Sequence, residues 1–364
     1  MTEDQWGCIY PLVDEKHCTR CGVCAEVCPE HNRPNLNTPV KCYAMYSPYK
    51  KDMASSSGGA ATVLGRCVIQ KNGVVFGTVY DKEGTLVYNS AKTEPELEQF
   101  RGSKYVYAYL GRTYQQIHEL LSNGVTCLIV ATPCHIAGLR AFFRKDWPNL
   151  YTLDLICHGT PPMRYLRQHT ENVTHSRRVN RVTFRGINNY YLSAYERNKK
   201  IYSKRGDEDA YFSAFMNGLT FRENCYQCPY AQIQRVGDLT IGDFWGLDKD
   251  TLDGYPGKPS VILVNTEKGD RMLSWIEDVV VMKQSVVDKA IQGNSQLIAP
   301  TTRHPHREVF RSSYLQNGFS GAIRDTDIPD KMRVAKMRNM IIRVPRYIRN
   351  RRIKRKIQTF MRQE

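Results

Sequence analysis

Twelve cysteines stand in this 364-residue chain, and eight of them occupy positions where thiolates can do chemistry. The densest run is Cys18-Thr-Arg-Cys21-Gly-Val-Cys24-Ala-Glu-Val-Cys28-Pro29. Three thiolates at two-residue intervals can wrap one iron–sulfur cubane, while a fourth followed by Pro leaves in another direction. Tetrahedral zinc is satisfied by two C-x2-C pairs, so a third successive step argues for a [4Fe–4S] cluster. Two-cluster ferredoxins carry this motif twice, and here it occurs once. Cys28, Cys42 and Cys8 therefore all stand as candidates for the fourth ligand.

A second set is more dispersed. Cys225-Tyr-Gln-Cys228-Pro229 is a lone C-x2-C, which suits zinc, a cluster or thiol exchange equally. Cys134 follows Thr132-Pro133 directly after the apolar run 126–131, and Cys157 ends the run 150–156. The carboxyl ends of parallel strands are where α/β folds place their ligands. Two cysteines there plus the pair at 225 and 228 make the four thiolates of a second cubane, against the plainer reading of Cys134 and Cys157 as small buried hydrophobes. Cys67 and Cys127 fit that plainer reading.

Ser55-Ser56-Ser57-Gly58-Gly59 precedes a helix beginning at Ala60. Hydroxyls, permissive glycines and the free N–H groups of a helix start can cradle a phosphate, or merely cap the helix. Arg101-Gly-Ser103-Lys104-Tyr105 offers cations beside a Gly turn. His135 and His158 each follow one of the strand-end cysteines, where an imidazole can hydrogen-bond a cofactor or donate a proton. In Gly237-Asp-Leu-Thr-Ile-Gly-Asp-Phe-Trp-Gly246 a strand between Gly-Asp turns presents two aromatics, either to a planar cofactor or to the core.

The elements that must position these groups follow from periodicity. Ala60, Val63, Leu64, Cys67 and Val68 recur at helical spacing, and Lys71-Asn-Gly73 stops the helix. Val74–Tyr80 reads as a strand, Thr93-Glu-Pro-Glu as a helix start, and Tyr114 to Leu121 as a helix closed by Gly124. Strands over 126–131 and 150–156 bracket a helix from Ile136 to Phe143. This order favours a mostly parallel sheet. Shorter strands over 181–185, 190–197 and 200–204 form an antiparallel insertion; a helix around Tyr211–Met216, a strand over 261–265 and a helix over 268–278 follow. The fold class is α/β (α+β mixed): a small cysteine-rich module, then a mostly parallel core with that insertion.

No apolar run approaches the ~18 residues of a bilayer span, and the start Met1-Thr-Glu-Asp-Gln lacks the pattern of a secretory signal. A cytoplasmic location is expected, where reduced thiols serve as ligands rather than disulfides. The formal charge is +16, but residues 331–364 hold 13 Lys or Arg against one acid, leaving about +4 for the rest. Met337, Met340, Ile341 and Val344 lie at helical spacing among those arginines. Such a tail suits an anionic membrane surface, at the inner face of a membrane, with about 1 kcal/mol per basic residue. A partner protein, or nucleic acid, is the rival.

In order and spacing these motifs resemble the coenzyme F-420 hydrogenase/dehydrogenase beta-subunit family, as a bacterial member with an N-terminal 4Fe–4S ferredoxin-type module. The resemblance rests on 18–29, Ser55–Gly59, Arg101–Val106, Thr132-Pro-Cys-His-Ile-Ala-Gly138, Asp154-Leu-Ile-Cys-His-Gly159, Cys225–Cys228 and Asp238–Gly246, spanning about residues 8 to 310. It implies an iron–sulfur flavoprotein oxidoreductase with two [4Fe–4S] clusters and FAD. Cys134, Cys157, Cys225 and Cys228 would hold the cluster beside the flavin. FAD would lie on Ser55, Ser56, Ser57, Gly58 and Gly59, on Arg101, Ser103, Lys104 and Tyr105, and on the Thr132-Pro133 turn. A ferredoxin or other one-electron carrier would be the partner, and the reduced small molecule is unidentified. A flavin takes electrons in pairs and a cubane takes one, so such a chain would couple the two regimes. The matching division is 1–46 for the ferredoxin-type module, 47–145 and 146–325 for the two parts of the flavin and cluster domain, and 326–364 for the basic amphipathic tail. The alternatives are a non-catalytic electron-transfer subunit and a zinc-stabilised nucleic-acid-binding protein.

Overall fold

Short apolar runs separated by helices at 3.6-residue spacing build one eight-stranded sheet in the computed structural model, which describes residues 1–186, 189–248, 250–255 and 257–341. At the N-terminus β1 (Thr2–Glu3) pairs with β2 (Ile9–Tyr10), and α1 (Val23–Glu26) is a single turn inside the cysteine run. Next come β3 (Lys41–Tyr46), α2 (Ala60–Gln70), β4 (Val74–Tyr80), β5 (Leu86–Ala91), α3 (Glu94–Glu98) and α4 (Thr113–Ser122). The central unit is β6 (Cys127–Ala131), α5 (Pro133–Phe143), β7 (Leu150–Leu155) and α6 (Met163–Thr174). A separate antiparallel sheet contains β8 (Arg181–Arg185), β9 (Tyr190–Glu196) and β10 (Lys199–Arg205), and α7 (Ala210–Met216) follows. The main sheet is completed by β11 (Leu239–Asp243), β12 (Ser260–Val264) and β13 (Val281–Ser285), with α8 (Glu267–Ser274), α9 (Val287–Gly293), α10 (Arg307–Arg324) and α11 (Ile328–Ile341) around it.

The strand order is β13-β3-β12-β11-β7-β6-β4-β5. Strands β11, β7, β6 and β4 run parallel, in registers such as Leu239↔Leu153, Cys127↔Leu150 and Val74↔Cys127. Antiparallel strands flank this centre on both sides. Alternation along the strands explains why helices cover both faces. Phe76 and Ile129 face Ile117 of α4 and Ile136 of α5, whereas Val75 and Leu128 face Leu64 of α2 and Met272 of α8. Because β6, β7 and β11 are parallel, their carboxyl ends open on one edge. Cys134, Cys157 and Trp245 all follow those ends.

The expected elements appear with adjusted limits. At α3 the start signal is a full capping box, Thr93 with Glu96. The helix expected over 268–278 closes at Ser274, because Trp275 and Ile276 turn toward the sheet and Ile276 is fully buried. β3, which the sequence division assigned to the N-terminal module, lies inside the main sheet between β12 and β13. Of the basic tail, α11 is described and residues 342–364 lie outside the described residues. Ala335 and Asn339 of α11 are buried, and Asn339 and Arg338 bond Asp207, while Val334, Met337 and Met340 face outward. No helix among the described residues is long and apolar enough to cross a membrane.

Candidate functional site

Four thiols meet where the parallel strands end. After β6, extended Thr132 and then Pro133 at the first helical position start α5, so Cys134 lies in its first turn with Thr132 Oγ1 3.3 Å from its Sγ. Two residues beyond β7 is Cys157. The chain then turns at Gly159, whose φ of +132° and 2.5 Å approach of an added Cβ to the Phe221 ring admit only glycine. Cys225 belongs to a 3-10 turn over Glu223–Gln227, held by its N–H to the Arg222 carbonyl at 3.0 Å, and Cys228 follows that turn.

Electrostatics register how close the four are. Burial, then Cys225 and Cys134, and also Cys228, push the Cys157 thiol well above its usual range against the opposing N–H of Gly159. Burial moves Cys228 up to about 11, with Cys134 and Cys225 adding to it and the N–H groups of Tyr230 and Ala231 opposing. Cys134 is raised by burial and Cys225, and opposed by Thr132 and Arg222. Its side chain nevertheless has open surface. Among the described residues no three ligating side chains close tightly enough for a single metal ion. Four thiols, three of them with backbone N–H groups directed at their sulfurs, are the donor set that a cubane takes.

In the N-terminal run Cys18, Cys21 and Cys24 are exposed and Cys28 is half-buried. Arg20 and Gly22 adopt positive φ, which bends the chain around the sulfurs. The Arg20 N–H donates to Cys18 Sγ at 3.4 Å, and the Val23 N–H and Thr19 hydroxyl pull the Cys21 thiol below its usual value. Cys42 is instead sealed in β3 with 1% exposure, and burial pushes it up to about 12. Cys8 is buried beside Arg222, with its thiol raised to about 11 by burial and Asp4. The module docks on the body through Glu26–Arg144 at 2.8 Å, Tyr230 to the Pro29 carbonyl at 3.4 Å, and paired backbone bonds between Asn37 and Arg235.

The expected phosphate loops also meet. The Ser103 N–H donates to Ser56 Oγ at 2.6 Å, and Ser57 Oγ donates to the Pro259 carbonyl at 2.8 Å. Gly58 is packed so closely on β3 that an added Cβ would lie 2.1 Å from the Met45 carbonyl, while Gly59 takes φ +90° to start α2. Arg101 and Lys104, however, answer protein groups. Arg101 pairs with Asp52 at 3.0 Å and Glu98 at 2.6 Å, and half-buried Lys104, lowered to about 7, donates to the carbonyls of Phe100 and Arg101. Thr132 and Pro133 stand beside Cys134. Burial also lowers His135 to about 4; its Nδ1 meets the Tyr88 hydroxyl at 2.9 Å, and its carbonyl accepts from Tyr114. His158 keeps open surface, and partial enclosure of its ring and then Arg185 lower its imidazole.

A charged group that the sequence left unmarked joins these parts. Arg185, at the end of β8, donates to Asp243 at 2.7 Å, to the Ser56 carbonyl at 2.8 Å and to the Tyr105 hydroxyl at 2.6 Å. Of the two aromatics after β11, Phe244 is core, whereas Trp245 stays 40% exposed and stacks on Tyr190. Lys258 Nζ lies 4.2 Å from the Tyr190 ring centre and 5.4 Å from that of Trp245, enclosed and without a hydrogen-bond acceptor. Burial and Arg185 lower it to about 8. Asp243 was legible inside its motif; Arg185 was legible only as the end of a strand, and Lys258 lay in a segment with no pattern of its own.

Comparison with known proteins places the chain. Residues 125–289, which carry Cys134, Cys157, Cys225 and Cys228, match the C-terminal region of the coenzyme F420 hydrogenase/dehydrogenase beta subunit. That segment belongs to this beta-subunit family. Residues 11–31, with Cys18, Cys21, Cys24 and Cys28 but neither Cys8 nor Cys42, match the 4Fe-4S binding domain. The family segment and the cluster domain together make this an iron–sulfur protein of oxidoreductase type. Among solved structures, a chain from the F420-reducing [NiFe] hydrogenase complex of Methanosarcina barkeri is similar at 15% identity and a TM-score of 0.47, covering 80% of this chain and 92% of that one. No curated protein matches.

Proposed function

We propose that this protein is an iron–sulfur flavoprotein that carries electrons from a ferredoxin-like donor through two [4Fe–4S] clusters to FAD, and from there to a small-molecule substrate. The observation that carries the proposal is that Cys225 and Cys228 come within electrostatic reach of Cys134 and Cys157, which follow the carboxyl ends of β6 and β7. Cys18, Cys21, Cys24 and Cys28 are assigned to the outer cluster. The matched domain ends at residue 31, and burial of Cys8 and Cys42 makes those two thiols poor ligands for an exposed module. When bound, the clusters and flavin would supply one-electron and two-electron transfer respectively.

The residues around Ser56 support the flavin assignment. Ser55–Gly59, Ser103 and Tyr105 form a tight-backed loop over the start of α2, with Arg101 and Lys104 shaping it from behind. Arg185 fixes the loop to Asp243, so the site is held rigidly before anything binds. Lys258, enclosed against Tyr190 and Trp245 with no acceptor, suits an anionic edge of a planar ligand. His158 follows Cys157 directly and feels the charges of Arg185 and Asp243, so it can hold or pass a proton beside the thiols. Neutral His135, held by Tyr88, orients the first turn of α5. We also assign peripheral contact with anionic membrane to α11 and the basic residues after it.

Cys157→Ser and Cys225→Ser test the assignment. Each should lose about four of about eight irons and keep the outer cluster's EPR signal. Full iron in both would overturn it. Retained FAD without turnover of any small molecule would reduce the reading to an electron-transfer subunit.

A further inference from the structure

Among the described residues, buried Arg66, Arg235 and Arg307 and half-buried Arg185 each have a carboxylate. Arg66 pairs with Asp52 at 2.7 Å, Arg235 with Asp154 at 2.9 Å, Arg185 with Asp243 at 2.7 Å and Arg307 with Glu223 at 3.1 Å. Arg222 differs. The groups acting most strongly on its charge are Tyr107, Cys8, Cys225 and Tyr10, none of them a carboxylate. Its guanidinium lies 4.4 Å from the Tyr107 ring centre and 5.7 Å from that of Tyr10, donates to the Ile9 carbonyl at 2.9 Å, and leaves Nε enclosed without an acceptor. Cation–π contacts, one carbonyl and the neutral Cys8 thiol and Tyr107 hydroxyl only partly offset the desolvation of a full charge.

The position of this cation is informative. Its carbonyl holds the Cys225 N–H, its own N–H holds the Thr160 carbonyl near Gly159, and its charge reaches Cys134 and Cys225. A cubane on four thiolates is a net anion, of about two charges oxidised and about three reduced. Resting on the cluster assigned above, we propose that Arg222 is the countercharge of the cluster held by Cys134, Cys157, Cys225 and Cys228, and that it raises that cluster's reduction potential. The sign follows from Coulomb's law: a fixed cation attracts the more negative, reduced state more strongly. Arg222 is not among the groups acting on Cys21 of the outer set, so it shifts the inner potential upward relative to the outer one, in the direction that favours inward electron flow.

The test is an EPR-monitored redox titration of the anaerobically purified full chain beside Arg222→Gln and Arg222→Lys. In Arg222→Gln the inner cluster should titrate at a more negative potential with the outer cluster unmoved, and Arg222→Lys should stay near wild type. Loss of the inner cluster's iron in Arg222→Gln, with Arg222→Lys retaining it, would equally support a countercharge. Full iron and an unmoved potential in Arg222→Gln would overturn the proposal, as would iron loss in both variants, since the requirement would then be shape and not charge. If the wild-type chain itself holds only about four irons, the inner-cluster assignment fails first and Arg222 has nothing to tune.

Discussion

Tyr230 donates its hydroxyl to the carbonyl of Pro29 at 3.4 Å, which seats the residue after Cys28 against the residue two places after Cys228. Cys134 and Cys228 both act on the same phenol. The two cysteine sets, far apart in sequence, thus share one buried tyrosine as their boundary.

Tyr230→Phe should keep the ring and lose a long hydrogen bond, costing at most about 1 kcal/mol. Iron content should be unchanged, while backbone hydrogen exchange over residues 23–33 should rise several-fold. Unchanged exchange would show that Glu26–Arg144 and the Asn37 pairing hold the module alone.

Cys8→Ser and Cys42→Ser should retain wild-type iron, in contrast to Cys18→Ser, Cys21→Ser and Cys24→Ser. Cys42 lies within β3 among apolar neighbours, so its replacement should lower stability by about 1–3 kcal/mol through a buried hydroxyl. Iron analysis beside thermal unfolding separates the two effects.

Asp243→Asn should be more damaging than a surface substitution, because it leaves Arg185 enclosed and unpaired. A loss of about 3–5 kcal/mol is expected, together with weaker retention of FAD and wild-type iron. Lys258→Met should weaken FAD or substrate binding without that loss of stability. Denaturant unfolding and flavin fluorescence after gel filtration distinguish the variants.

Lys104 is lowered to about 7 by burial, below the value of about 10.4 for a free lysine. Between these two pH values the unfolded chain binds more protons, so stability should rise with pH through that window. Lys104→Met should flatten this dependence in unfolding curves measured from pH 7 to 10.

The outward face of α11 carries Val334, Met337 and Met340, all more than half exposed, and nine more basic residues follow among 342–364. The full chain should float with phosphatidylglycerol vesicles and not with phosphatidylcholine vesicles. Truncation after Ile341 should lose most of that binding, and Val334→Ser with Met337→Ser should reduce it. Equal flotation of the truncated chain would contradict the membrane assignment.

The legible features were local ones. C-x2-C spacing, a Pro-Cys step after a buried strand and a Ser-Gly run before a helix are fixed by neighbours in sequence, and the last two lie at the helix starts they mark. The rest depends on distant partners. Arg185 looked like the end of a short strand, and only the fold brings it to Asp243 and Ser56. Arg222 and Lys258 are informative because they lack a carboxylate or an acceptor, and a sequence cannot display a missing partner. β3 was hidden because six residues after a cysteine run carry little periodicity, and its place in the sheet is set by β12 and β13.

The most direct measurement is the iron, sulfide, zinc and flavin content of anaerobically purified protein, with its absorbance spectrum. About eight irons and one FAD per chain are predicted. Zinc in place of iron, with no flavin, would contradict the account.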